Sequence, residues 1–95
     1  MGKASAVTIE HMRKGDIEQV LAIEHASFSM PWSRNLFLSE FRSPRVSHLL
    51  VALSDSQVRT VAGFIIFWLV EDEMHILNLA VLSSFRRRGI ARLLV

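Results

Sequence analysis

Ninety-five residues without a cysteine, 51% of them hydrophobic, describe one folded domain spanning 1–95 and leave no route to disulfides or thiolate metal sites. Lys and Arg outnumber Asp and Glu by only 11 to 9, yet Arg86, Arg87, Arg88 and Arg92 crowd into seven positions. So local an excess suits a compact polyanion better than a long nucleic-acid track, and no stacking aromatics interleave with it.

The absence of cysteine points to a reducing cytosol. The longest apolar run, Val61 to Val70 with Gly63 inside it, is about half the ~20 residues a membrane-spanning helix needs. The first residues lack the apolar core of a signal peptide. No membrane association is expected. His11, His25, His48 and His75 show no metal-ligand spacing, so no metal is expected either.

In chain order, Ala6 to Met12 alternates loosely and predicts a strand. Lys14-Gly15-Asp16 is a turn, with Asp16 placed to cap a helix. Ile17, Val20, Leu21 and Glu24 fall at i, i+3, i+4 and i+7, and the apolar stripe runs through the first three. Ile23 and Phe28 widen it, which predicts an amphipathic helix ending at Ala26 or Phe28. Pro31 disfavours helical geometry at Met30. Ser33 then caps a shorter helix through Phe41. His48 to Leu53 predicts a strand, Asp55-Ser56-Gln57 a turn, and Thr60–Val70 its hairpin partner. Gly63 to Val70 is apolar on both faces, the pattern of a central strand covered on both sides. Glu71-Asp72-Glu73 turns the chain into a last strand, Met74–Val81.

After that strand come a short turn, Arg86-Arg87-Arg88, Gly89 and the first turns of an apolar helix. This is the layout of a pyrophosphate cradle. Amide N–H groups at a helix start point outward, glycine permits close approach, and guanidinium groups add charge-assisted hydrogen bonds. The order β-α-α-β-β-β-α with short turns predicts an α+β fold, an α/β/α sandwich on a mainly antiparallel sheet. Trp32 reads equally well as a lid on the core or as an acceptor contact. Asn78 fits either a hydrogen bond across a strand irregularity or a contact to substrate backbone.

Three features together resemble the GNAT superfamily of acetyl-coenzyme A-dependent N-acetyltransferases, and within it the RimI-type protein N-terminal acetyltransferases. They are Arg86-x-x-Gly89-x-Ala91, the preceding strand His75 to Val81, and Ile23-Glu24 followed by Phe28-x-x-Pro31-Trp32-Ser33. The likeness runs through nearly all of the chain but only about two-thirds of a family domain of ~150 residues, so the chain reads as a partial fold that stops within the cofactor helix. The resemblance implies acetyl-coenzyme A as co-substrate and the N-terminal α-amine of a ribosomal-protein-like acceptor as target. It assigns Leu79, Ala80 and Val81 to the pantetheine arm and the stretch Arg86, Arg87, Arg88, Gly89, Ile90 and Ala91 to the phosphates. Phe28, Pro31, Trp32 and Asn78 fall on the acceptor side. RimI-type enzymes place a glutamate base and a tyrosine acid after the cofactor helix. This chain ends inside that helix and has no tyrosine. No catalytic residue is therefore assigned, and Glu73 and His75 carry little weight as substitutes.

Two other readings stand beside the enzyme. One is a non-catalytic coenzyme A-binding or self-associating module, because a last strand without its family neighbour would expose an edge and favour a homodimer. The other, and weaker, is a small basic nucleic-acid-binding domain.

Overall fold

The computed structural model describes residues 7–56, 58–85 and 89–95. Strands β1 (Val7–His11), β2 (Ser47–Ser54), β3 (Val61–Val70) and β4 (Glu73–Val81) form one sheet in the order β1-β2-β3-β4, antiparallel at every pairing. Helices α1 (Ile17–Ser27) and α2 (Arg34–Glu40) lie between β1 and β2, and α3 (Ile90–Leu94) follows β4. Short 3-10 turns at Lys14–Asp16 and Ser83–Phe85 complete the order. The expected β-α-α-β-β-β-α succession and α/β/α layering are both present.

The layering follows from side-chain alternation along the strands. Leu49, Val51, Phe64 and Ile66 face one side of the sheet and pack under Val20 and Ile23 of α1 and Phe37 of α2. Ala52, Ala62, Ile65 and Val81 face the other side and receive Ile90 and Leu94 of α3. Phe37 and Phe64 are fully buried, with ring centroids 5.7 Å apart in an edge-to-face arrangement. Burying each such side chain contributes about 1.5–3 kcal/mol. The register runs Ala52↔Gly63 and then Leu53↔Val61, leaving Ala62 unmatched. That extra residue resets the alternation, which is why Val61 shares the core of Phe64 and Ile66 while Ala62 faces the other. Gly63 allows β3 and β4 to approach closely, since a Cβ there would lie 3.0 Å from the Ala80 carbonyl oxygen.

Local signals explain the helix ends. Ser33 is extended and its hydroxyl accepts the Leu36 N–H at 3.2 Å, the expected N-cap of α2. Beyond Ser27, Phe28 leaves the helix in extended geometry. Asp16 does stand at the N-cap position of α1, but its side chain makes no capping bond. It accepts the Arg13 N–H at 2.8 Å and two hydrogen bonds from Arg59, Nε at 2.8 Å and Nη2 at 3.0 Å. A buried carboxylate gains more from a bidentate guanidinium than from one amide, so the long-range partner displaces the cap. Gln19 reinforces the same seam, accepting the Val61 N–H and donating to the Arg59 carbonyl.

One expectation fails along β3. Val61 to Ile66 are buried, but Trp68, Leu69 and Val70 are exposed, as are Met74 and Ile76 on the facing part of β4. The β3–β4 hairpin projects past the helices, so its apolar character does not translate into cover on both sides. The outer edge of β4 has no strand partner among the described residues.

Candidate functional site

The site grows from an irregularity in β4. Ile66 pairs with Asn78 and Phe67 with Ile76, so Leu77 is an extra residue opposite no partner. Such a bulge bends the strand and re-aims its side chains. Asn78, buried, donates from Nδ2 to Glu24 Oε1 at 2.6 Å and accepts the Leu79 N–H on Oδ1 at 3.0 Å. Glu24 is 1% exposed, and its other oxygen accepts the Trp32 N–H at 2.8 Å. Of the two possibilities for Asn78, the hydrogen bond at a strand irregularity is therefore present. The side chain also borders an open cavity.

Two cavities lie beside this strand. One, of about 330 Å³, is lined by Ser27, Phe28, Leu79, Ala80, Val81 and Ala91. The second, of about 370 Å³, includes Glu24, Phe28, Met30, Trp32, Leu77 and Asn78 in its lining. Phe28 belongs to both walls. The structure thus brings Leu79, Ala80, Val81 and Ala91 together on one side of Phe28, and Trp32 and Asn78 on the other. Pro31 is half-buried beside the second cavity and not in its lining. Trp32 packs on the core, its ring 5.1 Å from that of Phe37, and it also lines the second cavity.

At the start of α3, Gly89 adopts φ 76°, the left-handed region that favours glycine. Ile90 and Leu94 anchor the helix in the second core while Ala91 faces the first cavity. The first N–H groups of a helix have no intrahelical acceptor. Arg86, Arg87 and Arg88, assigned to the phosphates from sequence, lie outside the described residues. The groove beside β4, the left-handed glycine and the firmly seated helix fit an extended thioester arm ending in a diphosphate.

Other polar groups fall elsewhere. His75 is half-exposed with Nε2 3.2 Å from Glu73 Oε1, and neither side chain lines the two cavities. A separate cleft of about 300 Å³ includes His11, Glu40 and His48, but Glu40 already accepts from Ser47 Oγ at 2.6 Å and Trp68 Nε1 at 2.8 Å. Among the described residues no helix is long and apolar enough to cross a membrane, and no His, Asp and Glu cluster could hold a metal ion. Glu24 is the residue that sequence reasoning passed over. Its signal was a carboxylate at the i+7 position of an otherwise apolar stripe.

Residues 17–95 match the model of the acetyltransferase (GNAT) family. The chain belongs to the GNAT family. A ribosomal protein bS18-alanine N-acetyltransferase of Salmonella typhimurium (strain LT2) is 31% identical over 88 residues, which cover 93% of this chain and 56% of that protein. A Bacillus subtilis (strain 168) protein that carries the same name provisionally is 31% identical over 86 residues, 90% of this chain and 55% of its own length. The ribosomal-protein-S18-alanine N-acetyltransferase of Escherichia coli superposes with a TM-score of 0.78 at 27% identity, covering 93% of this chain and 54% of that one. The chain thus spans little more than half the length of these GNAT relatives.

Proposed function

We propose that this GNAT chain carries the acetyl-coenzyme A groove and the acceptor-facing loop of a protein N-terminal acetyltransferase, acting on the N-terminal α-amine of a ribosomal-protein-like acceptor in the cytosol. The observation that carries this reading is that two cavities share Phe28 as a wall, one lined by Leu79 to Val81 and the other by Trp32 and Asn78. A transfer enzyme needs its two substrates to converge on one point, and a shared wall supplies that geometry. Acetyl-coenzyme A, when bound, supplies an activated acyl group as a thioester. The β4 main chain from Leu79 to Val81 lines the groove and would take the extended arm as an added strand, and the N–H groups of Gly89, Ile90 and Ala91 would hold the diphosphate, with the charges of Arg86, Arg87 and Arg88 available to it. An amide donor on β4 is suited to developing negative charge on a carbonyl oxygen. Phe28 and Trp32 supply apolar walls at the junction. No residue of this chain is assigned as general base or acid.

Incubating the chain with acetyl-coenzyme A and a peptide bearing a free N-terminal alanine tests the proposal by mass spectrometry. The expected result is the mass gain of one acetyl group on the peptide amine. Saturable coenzyme A binding without that gain would favour the second reading, a non-catalytic coenzyme A-binding or self-associating module. The outer edge of β4, without a strand partner among the described residues, and the exposed Trp68, Leu69, Val70, Met74 and Ile76 support self-association as a homodimer.

A further inference from the structure

We propose that Glu24 is a positioning residue whose buried carboxylate ties the acceptor-side loop to the bulged strand and so sets the junction between the two cavities. The inference rests on the acetyltransferase reading above. A carboxylate at 1% exposure is costly to desolvate unless its oxygens are satisfied. Among the described residues no Lys, Arg or His forms an ion pair with Glu24. Its two oxygens are instead divided between two elements far apart in the chain, the Trp32 N–H at 2.8 Å and Asn78 Nδ2 at 2.6 Å. A leucine would pack in the same place without the desolvation cost, so packing does not account for the charge. What the carboxylate adds is a fixed distance between the loop and the strand.

The amide of Asn78 has one orientation that satisfies both neighbours. Its nitrogen must face the Glu24 oxygen, which leaves its oxygen on the Leu79 N–H at 3.0 Å. Glu24 thereby reaches the main chain on the cofactor side through Asn78 and the loop through Trp32. Phe28, the wall common to both cavities, lies one helical turn from Glu24, and its N–H bonds to the Glu24 carbonyl at 3.0 Å.

The test is an exchange of donor and acceptor. Glu24→Gln places an N–H against one of two donors. Asn78→Asp places a second carboxylate against the first. In the double variant Glu24→Gln/Asn78→Asp, the glutamine nitrogen donates to the aspartate, the glutamine oxygen accepts from Trp32, and the other aspartate oxygen accepts from Leu79. Every hydrogen bond is regained, and only the one between positions 24 and 78 has its polarity exchanged.

Two measurements read the result: amide hydrogen exchange by NMR, and steady-state acetylation of the N-terminal alanine peptide. Each single variant should lose about tenfold in Trp32 amide protection, the equivalent of one hydrogen bond, while the β3 core amides keep theirs. The peptide KM should rise by about the same factor with coenzyme A affinity held, and the double variant should return within about threefold of the parent. Unchanged Trp32 protection in Glu24→Gln overturns the proposal, as does a double variant no better than either single one. Lost protection with an unaltered peptide KM also overturns it, since the tie would then position nothing. If Glu24→Gln alone does not fold, a folded double variant with a protected Trp32 amide supports the proposal, and one that also fails to fold refutes it. A parent chain with a protected Trp32 amide that neither binds coenzyme A nor acetylates peptide sinks the acetyltransferase reading, and the positioning role with it, leaving Glu24 as architecture alone.

Discussion

Substituting Gly89 isolates backbone strain from steric intrusion. An added Cβ there meets nothing within 4 Å among the described residues, while φ stands at 76°. Any loss in Gly89→Ala is therefore conformational. Holding a residue with a Cβ in left-handed helical geometry costs about 1–2 kcal/mol. For a domain of this size each kcal/mol moves the melting temperature by roughly 4–8 °C, so Gly89→Ala should melt about 4–16 °C lower if the free protein keeps this turn. If the turn relaxes when unliganded and is re-formed around the diphosphate, the same penalty appears as a loss in coenzyme A affinity of about 5- to 30-fold. Asparagine tolerates the left-handed region better than alanine, and a β-branched residue worse. The expected order of damage is Gly89→Asn, then Gly89→Ala, then Gly89→Val. Thermal unfolding and titration calorimetry with coenzyme A on the same samples divide the penalty between stability and binding. A Gly89→Ala variant unchanged in both would refute the reasoning, and so would asparagine and valine variants that could not be told apart.

Two further outcomes follow from surfaces and charges away from that turn. Burial is the largest influence on Asp16 and pushes its carboxyl upward, but the hydrogen bonds from Arg59 and the Arg13 N–H, with the charges of both arginines, outweigh it and hold the group below its ordinary 3.8. A depressed folded-state pKa means stability that is present above about pH 4 and lost as the pH falls through the folded value. The melting temperature of Asp16→Asn should accordingly fall less steeply with acidification than that of the parent, and parallel acid limbs would contradict the ion-pair account. Sedimentation at micromolar concentration should show a mass above that of one chain, because among the described residues the outer β4 edge has no strand partner and its apolar neighbours are exposed. A single monomeric boundary would remove self-association.

Most of the fold was legible because its signals are local. The 3.6-residue stripe of α1, the Ser33 cap and the polar turns between strands each depend on neighbours a few positions away. What escaped depends on distant partners. Glu24 looked like the fading end of an apolar stripe, since its partner Asn78 is 54 positions on. Asp16 looked like a cap because its pairing with Arg59 spans 43 positions. The far end of β3 looked buried because apolarity records what a strand can bury and not what is placed over it. Phe28, Trp32 and the Leu79 to Val81 strand were singled out through family resemblance, and the structure sets them around adjoining cavities. Their division by Phe28 into two walls was not visible in the sequence, because it arises where the end of α1 crosses β4.

The extra residue at Leu77 explains how that crossing becomes a site. Residues paired across an antiparallel sheet point to the same face, so Asn78, opposite Ile66, shares the face packed under α1. Ile76, opposite Phe67, shares the face on which α3 packs. In a regular strand Ile76 and Asn78, two apart, would point the same way, and Asn78 would aim at α3. Inserting Leu77 reverses the parity. It turns Asn78 toward Glu24 while Leu79 and Val81 keep to the opposite face and Ala80 rejoins the first core. One unpaired residue thus lets a single strand support the loop at residues 28–32 from one face and seat α3 from the other. The buried Glu24 carboxylate sits where that switch needs a polar anchor, so the bulge and the carboxylate are best understood as two parts of one device.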